Sequence, residues 1–243
     1  MMSLGPVGIL RLALVLILGL IAGPLPAASA SSAQESSAPE GVRMKQHGIT
    51  PEAQLGVLPE GIGLPPGHLA PAAVLQDVTG KDVEIGRFWQ EGPVLLVFYR
   101  GGWCPYCNFQ IHEMSEALPE FQRRGVGLVA VSVDRFEEAA RTQTLHEIPF
   151  PVLSDPDLIL HQAFHVIHQA DEAEVAMLAQ YGIDLEAASG KTHHGIAVPS
   201  IFLIAKGGRI LWAHAEADYQ TRPTIAQLLA VTEARLDFSM PRE

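Results

Sequence analysis

Residues 98–110 read FYRGGWCPYCNFQ and hold both cysteines of this 243-residue chain, Cys104 and Cys107. The stretch follows the apolar run PVLLVFY (93–99), the pattern of a strand covered on both faces. It then crosses Gly101 and Gly102 into a segment with Ile111, Met114, Leu118 and Phe121 at helical spacing, stopped at Gly125 and kinked at Pro119. Strand, turn and helix in that order put Cys104 at a helix N-terminus. There, free N–H groups and the positive end of the macrodipole favour a thiolate. In C-x-x-C motifs this lowers a thiol pKa from about 8.5 to roughly 3.5–7.5. Cys107, one turn further in, is placed to resolve the adduct formed on a first sulfur.

Outward from this turn, AAVLQDVTGKDVEI predicts a hairpin turning at residues 78–81, and GLVAVSV (127–133) a second buried strand. Asp134 to Glu137 has the form of a capping box for a helix through about His146. PVLSD is a short strand. Asp155-Pro156 marks a helix start, and helical patterning runs from Asp157 to about Tyr181 as two helices. SIFLIA and ILWAHAEA flank Lys206-Gly207-Gly208 as a closing hairpin, and residues 224–236 form a last amphipathic helix. The alternation predicts an α/β domain over residues 68–238, a central mixed sheet with helices on both faces.

The N-terminal 30 residues carry Arg11, the apolar run Leu12 to Ala22 and a small-residue A-S-A at Ala28 to Ala30, the order of a secretory signal peptide. An uncleaved membrane anchor is the alternative, but the run falls short of the roughly 20 residues of a spanning helix. Residues 31–67, rich in Ser, Ala, Pro and Gly, are expected to be a flexible leader. Export to the periplasm or beyond exposes the cysteines to oxidising conditions. A Cys104–Cys107 bridge closes so small a ring that its stapling value is low, which favours redox chemistry. The net charge of −11 excludes a basic phosphate-binding surface, so no nucleic-acid partner is expected.

WCPYC after an apolar strand, with Val198-Pro199-Ser200 opening a strand some ninety residues later, resembles the thioredoxin-like fold. That resemblance implies a cis Pro199 lying against the active-site sulfur. More narrowly, F-Y-R-G-G-W-C-P-Y-C and the SVD after the second strand resemble peroxiredoxins of the alkyl hydroperoxide reductase and thiol-specific antioxidant family, over about residues 68–236. The family's proline, threonine and peroxidatic cysteine fall on Arg100, Cys104 and Cys107, so two of three marker positions depart from its pattern. The resemblance implies a thiol-dependent peroxidase with a hydroperoxide substrate, a thioredoxin-like reductant and no metal or organic cofactor. The thioredoxin alignment makes Cys104 the nucleophile and the peroxiredoxin alignment makes it Cys107. Access at the first helical turn favours Cys104.

Arg100 is a candidate to stabilise a thiolate or hold a peroxide oxygen, or else to pair with a surface carboxylate. Trp103 and Tyr106 are expected to form an apolar collar at the sulfurs, open to substrate. The peroxiredoxin resemblance implies an arginine from a later strand, for which Arg209 and Arg222 are candidates, with no motif to choose between them. Two alternatives remain: a thiol-disulfide oxidoreductase acting on protein disulfides, and a copper- or zinc-binding module. The last would use Cys104, Cys107 and a histidine, and His161, His165 and His168, spaced as one helix face, are further metal-ligand candidates.

Overall fold

The computed structural model describes residues 44–239; residues 1–43, with the expected signal peptide and the first part of the leader, and residues 240–243 lie outside it. The elements are β1 (Gly48–Ile49), β2 (Val74–Asp77), β3 (Asp82–Glu84), α1 (Gly86–Glu91), β4 (Val94–Phe98), α2 (Pro105–Glu116), α3 (Leu118–Arg123), β5 (Gly127–Ser132), α4 (Phe136–Leu145) and β6 (Val152–Ser154). The second half adds α5 (Ile159–Ala163), β7 (Ile167–Gln169), α6 (Glu172–Gln180), α7 (Leu185–Ser189), β8 (Gly195–Ala197), β9 (Ser200–Ile204), β10 (Ile210–Ala215), β11 (Thr221–Arg222) and α8 (Ile225–Ser239).

Seven strands form one mixed sheet in the order β10-β9-β4-β5-β6-β2-β3. β4, β5 and β6 run parallel, while β9 is antiparallel to both β4 and β10. Alternate residues of β4 enter different cores. Leu95 and Val97 pack with Ile111, Met114 and Phe121 from α2 and α3, and Leu96 and Phe98 pack with Leu160 and Phe164 from the α5 side. That double burial is why β4 and β5 read as unbroken apolar runs rather than alternating ones.

Three expectations are corrected. Pro119 does not kink one helix; α2 ends at Glu116 and α3 starts at Leu118, with the proline in its first turn, where no N–H is needed. Asp134 is not a helix cap: α4 is preceded by Arg135 with no side-chain cap, because the Asp134 carboxylate is turned inward to the cysteine turn. Residues 157–181 hold α5, β7 and α6. The helical pattern is interrupted where His165 takes a left-handed φ of 56° and β7 pairs antiparallel with β8. α5 starts at Ile159, three residues beyond Pro156, and the Asp155 carboxylate still accepts the N–H groups of Ile159, Leu160 and His161, each at 2.9 Å.

The described part of the leader is tied to the domain. β1 pairs with β11 in parallel, Thr50 is fully buried, and Gly63 N–H donates to the carbonyl of His165 at 2.8 Å. A Pro- and Gly-rich composition hid this, because the segment docks through backbone groups, single polar side chains and isolated leucines (Leu55, Leu58, Leu64) rather than through an apolar stripe.

Candidate active site

The chain leaves β4 through Tyr99 and Arg100, turns at Gly101 and Gly102, and enters α2 with Cys104 as its capping residue. The turn is built for glycine by close approach. A Cβ on Gly102 would collide with the Thr142 hydroxyl of α4, and one on Gly101, whose φ is 149°, would meet the Trp103 indole and the Asp134 carboxylate. Three bonds hold it: Gly102 N–H donates to Asp134 Oδ2 at 2.8 Å, Asn108 Nδ2 donates to the Gly102 carbonyl at 2.7 Å, and Cys104 N–H donates to the Gly101 carbonyl at 3.0 Å. Asp134 is itself buried, which pushes its carboxyl up to about 7 despite the bonds from Gly102 and Ser132.

The two sulfurs lie 2.8 Å apart as free thiols. Cys104 is 1% exposed and Cys107 fully buried, so the expected access to Cys104 at the helix start is not present. The reason is orientation: the Cys104 side chain turns under the helix into the core that holds Tyr99 and Ile111. Burial raises the Cys104 thiol well above its ordinary range, and its bond to Cys107 raises it further. Burial acts on Cys107 in the same sense but is outweighed there. The hydrogen bond from Cys104, the charge of Arg222, and the backbone N–H and charge of Arg100 bring Cys107 down to about 6. These opposed shifts favour the thiolate on Cys107 and keep Cys104 as the protonated thiol.

Arg222, left unassigned by the sequence, is the central cation of the site. Its guanidinium is buried, with Nη2 donating to Cys107 Sγ at 3.3 Å and Nε to Gln110 Oε1 at 2.9 Å. Cys107 and Gln110, one turn apart on α2, thus share one edge of the planar fork. Nη1 donates to the carbonyls of Tyr219 and Thr221, at 2.8 and 2.5 Å. The alternative candidate, Arg209, is exposed and bonds the Gly67 carbonyl. No sequence pattern singled out Arg222, because it stands in a two-residue strand outside the main sheet.

Arg100 is buried and pairs with Glu174 of α6 at 3.0 Å, its guanidinium lying over the Trp103 ring at 5.1 Å and the Tyr219 ring at 4.2 Å. Its contribution to Cys107 comes mainly from its main-chain N–H. Trp103 and Tyr106 are half-buried beside the cysteines, and Tyr106 packs edge-on against Tyr219 at 5.9 Å. Pro199 is buried at the start of β9, where its carbonyl accepts from Glu216 N–H at 2.9 Å. All peptide bonds among the described residues are trans, so the cis Pro199 implied by the thioredoxin resemblance is corrected. The extended link from β8 to β9 is met by the trans isomer, which X–Pro bonds favour by about 0.5–1 kcal/mol.

The three histidines of the metal alternative do not share a face. His161 is buried with Nδ1 on Asp155 at 2.7 Å, and His168 lies on β7 bonded to Glu174 at 2.5 Å. No cluster of three His, Cys, Asp or Glu side chains arranged to hold a metal occurs among the described residues.

Comparison with known proteins accords with this geometry. The model of the AhpC/TSA family matches residues 66–213. Peroxiredoxin Bcp of Escherichia coli (strain K12) is 31% identical over 156 residues, 64% of this chain and 86% of that protein. Two Mycobacterium tuberculosis relatives with provisional peroxiredoxin names are 33% identical over 94 residues, a match that spans 39% of this chain and 59% of their own length. Thiol-disulfide oxidoreductase ResA of Bacillus thuringiensis subsp. konkukian is 27% identical over 146 residues, 60% of this chain and 66% of that one. Among solved structures, Mycobacterium tuberculosis peroxidoxin BcpB superposes with a TM-score of 0.55 at 19% identity, covering 71% of this chain and 97% of that one. Peroxiredoxin 6 of Arenicola marina, solved as a cysteine-to-serine mutant, superposes at 0.57 with 13% identity, over 73% and 76%. The fold is thioredoxin-like, of the peroxiredoxin type.

Proposed function

The chain belongs to the AhpC/TSA family, and on that premise we propose that it is a thiol-dependent peroxidase that reduces hydroperoxides through Cys107 and Cys104. The observation that carries this reading is the environment of Cys107: a buried sulfur held at about 6 by Cys104, Arg222 and the Arg100 N–H. A small ROOH suits a sulfur of that kind. The Cys107 thiolate attacks the terminal oxygen of ROOH and keeps that OH as a sulfenic acid, while the O–O bond breaks and expels RO⁻, which takes up a proton from water as ROH. The Cys104 thiol then attacks the sulfenic sulfur, forming the Cys104–Cys107 disulfide and releasing water. The two thiols supply both electrons, and a thioredoxin-type dithiol returns them. Arg222 Nη2, already at the sulfur, supports the charge that moves onto the oxygens.

The second reading, exchange with protein disulfides, is favoured by the C-x-x-C pair and the likeness to ResA, and opposed by the burial of both sulfurs. Stopped-flow mixing of the reduced protein with hydrogen peroxide and with cumene hydroperoxide separates the two. Oxidation orders of magnitude faster than that of free cysteine is expected, with Cys107→Ser inert and Cys104→Ser halting as a sulfenic acid on Cys107. Oxidation no faster than free cysteine, beside rapid exchange with a protein disulfide, would establish the second reading instead. NADPH consumption with added thioredoxin and its reductase tests the electron donor.

We further propose that the protein is exported, on the strength of Arg11, the apolar run and the small-residue site ending at Ala30. N-terminal sequencing of protein recovered from the producing cells is expected to begin near Ser31, and an intact Met1 in the cytoplasmic fraction would overturn it.

A further inference from the structure

Arg222 and Cys107 approach each other from parts of the chain with little common support. β11 has two residues and lies outside the seven-stranded sheet, and its one ladder partner is β1. Gly48 N–H donates to the Gln220 carbonyl at 2.7 Å, and Thr50 N–H donates to the carbonyl of Arg222 itself at 2.9 Å. Because Arg222 Nη1 is bonded to the carbonyls of Tyr219 and Thr221, the guanidinium turns with that backbone. Whatever holds residues 219–222 also aims Nη2 at the sulfur.

The segment around β1 also grips α2, which carries Cys107. Lys45 N–H donates to the carbonyl of Pro105, the first residue of that helix, at 3.3 Å. Two turns beyond Cys107, Glu113 accepts from His47 Nε2 at 2.8 Å, and the His47 ring packs edge-on against Phe109 at 5.3 Å. On the other side, the buried Glu216 carboxylate gathers Thr50, His214 and Thr221. Oε1 accepts the Thr50 hydroxyl and His214 Nε2–H, the latter at 2.8 Å, and Oε2 accepts the Thr221 hydroxyl at 2.8 Å. The tautomer of His214 is set by Gly56, whose N–H donates to Nδ1 at 3.2 Å. Gln227 of α8 closes the set by donating to the Thr50 carbonyl at 3.0 Å.

Residues 45–56, Glu216, Thr221 and Arg222 all lie outside the span matched by the family model. We propose that residues 45–56 form a strap that sets the Arg222 guanidinium against Cys107, with Thr50 and Glu216 as its positioning residues. Neither touches the sulfurs; both act through the backbone of β11. The proposal rests on the Cys107 reading above, and its test separates the two.

The test uses Thr50→Val, which keeps the shape of the side chain and removes the hydroxyl, with Thr50→Ser as the conservative control and Glu216→Gln as a second variant that preserves volume. Three quantities are read for each: the ultraviolet titration of the Cys107 thiolate in a Cys104→Ser background, the second-order rate with hydrogen peroxide, and the urea midpoint. The expected result is a thiolate midpoint about one pH unit higher and oxidation about tenfold slower for Thr50→Val, as for the weakening of one charge-assisted hydrogen bond. Thr50→Ser restores both. In an Arg222→Met background, Thr50→Val is expected to shift neither quantity further, since the strap then has no guanidinium to aim.

A general loss of stability would instead slow both backgrounds alike, and that outcome overturns the proposal. So does a folded Thr50→Val protein with the wild-type midpoint and rate. If Thr50→Val does not fold, Glu216→Gln is judged by the same readings. A wild-type protein that titrates as expected yet ignores peroxide would count against the peroxidase reading alone, since the thiolate titration needs no peroxide.

Discussion

Replacing Arg222 by Met tests the assignment of the thiolate most directly. The methionine fills a similar volume in a site 1% exposed, but removes the Nη2 donor 3.3 Å from Cys107 Sγ. A hydrogen bond to a charged group contributes about 1.5–3 kcal/mol net, equivalent to about one to two pH units on the thiol. The Cys107 midpoint, at about 6 in the intact site, should therefore rise to roughly 7–8. At pH 7 the thiolate fraction falls from about nine-tenths to between about one half and one tenth. That lowers the peroxide rate about twofold to tenfold, and loss of the donor facing the reacting oxygens lowers it by about a further hundredfold.

Measuring the rate at pH 7 and again at pH 9 divides these effects, because alkali restores the thiolate and not the donor. A variant that regains the wild-type rate at pH 9 would show that Arg222 serves ionisation only. A midpoint still near 6 would refute the account of what stabilises the anion. Since the substitution leaves Gln110 Oε1 and two carbonyls without their donor, the urea midpoint is followed alongside, and Arg222→Lys repeats the test with the charge kept and the fork removed.

Two further outcomes are expected. Asp134 is raised to about 7 by burial, so between about pH 4 and 7 the folded protein binds a proton that the unfolded chain does not, and stability falls as pH rises through that window. Asp134→Asn should remove this slope, and an unchanged urea midpoint-versus-pH curve would contradict the burial argument. Gly102→Ala drives a Cβ into the Thr142 hydroxyl and should cost about 1–3 kcal/mol in urea unfolding. Thr142→Ala in the same chain should recover most of that loss, and no recovery would rule out the clash as its cause.

The central strands were legible in the sequence because each residue of β4, and each from Leu128 to Val131 of β5, meets a core on one face or the other, which leaves a continuous apolar run. The cysteine turn was legible because glycines and a proline bracket it. Arg222 was not: it reaches Cys107 across 115 positions from a strand too short to have a period. Asp134 misled for a related reason. Its spacing to Glu137 suits a helix cap, yet it accepts from the N–H of Gly102 and the hydroxyl of Ser132. The helical pattern across 157–181 failed at β7, where pairing with β8, distant in sequence, overrides local spacing. The strap was hidden by its composition, since Pro, Gly and single polar residues dock without leaving any hydrophobic repeat.

In the proposed peroxidase cycle, the burial of both sulfurs also shapes the second half of a turnover. A hydroperoxide is small enough to be admitted by modest side-chain movement, but a protein-sized electron donor has to bring its own cysteine to within bonding distance of a sulfur no more than 1% exposed. The first turn of α2 has to fray before that happens. Recycling then proceeds at the frequency of this opening, and its velocity levels off as donor is added, at a ceiling set by how firmly Asn108 and Asp134 hold the turn at Gly102.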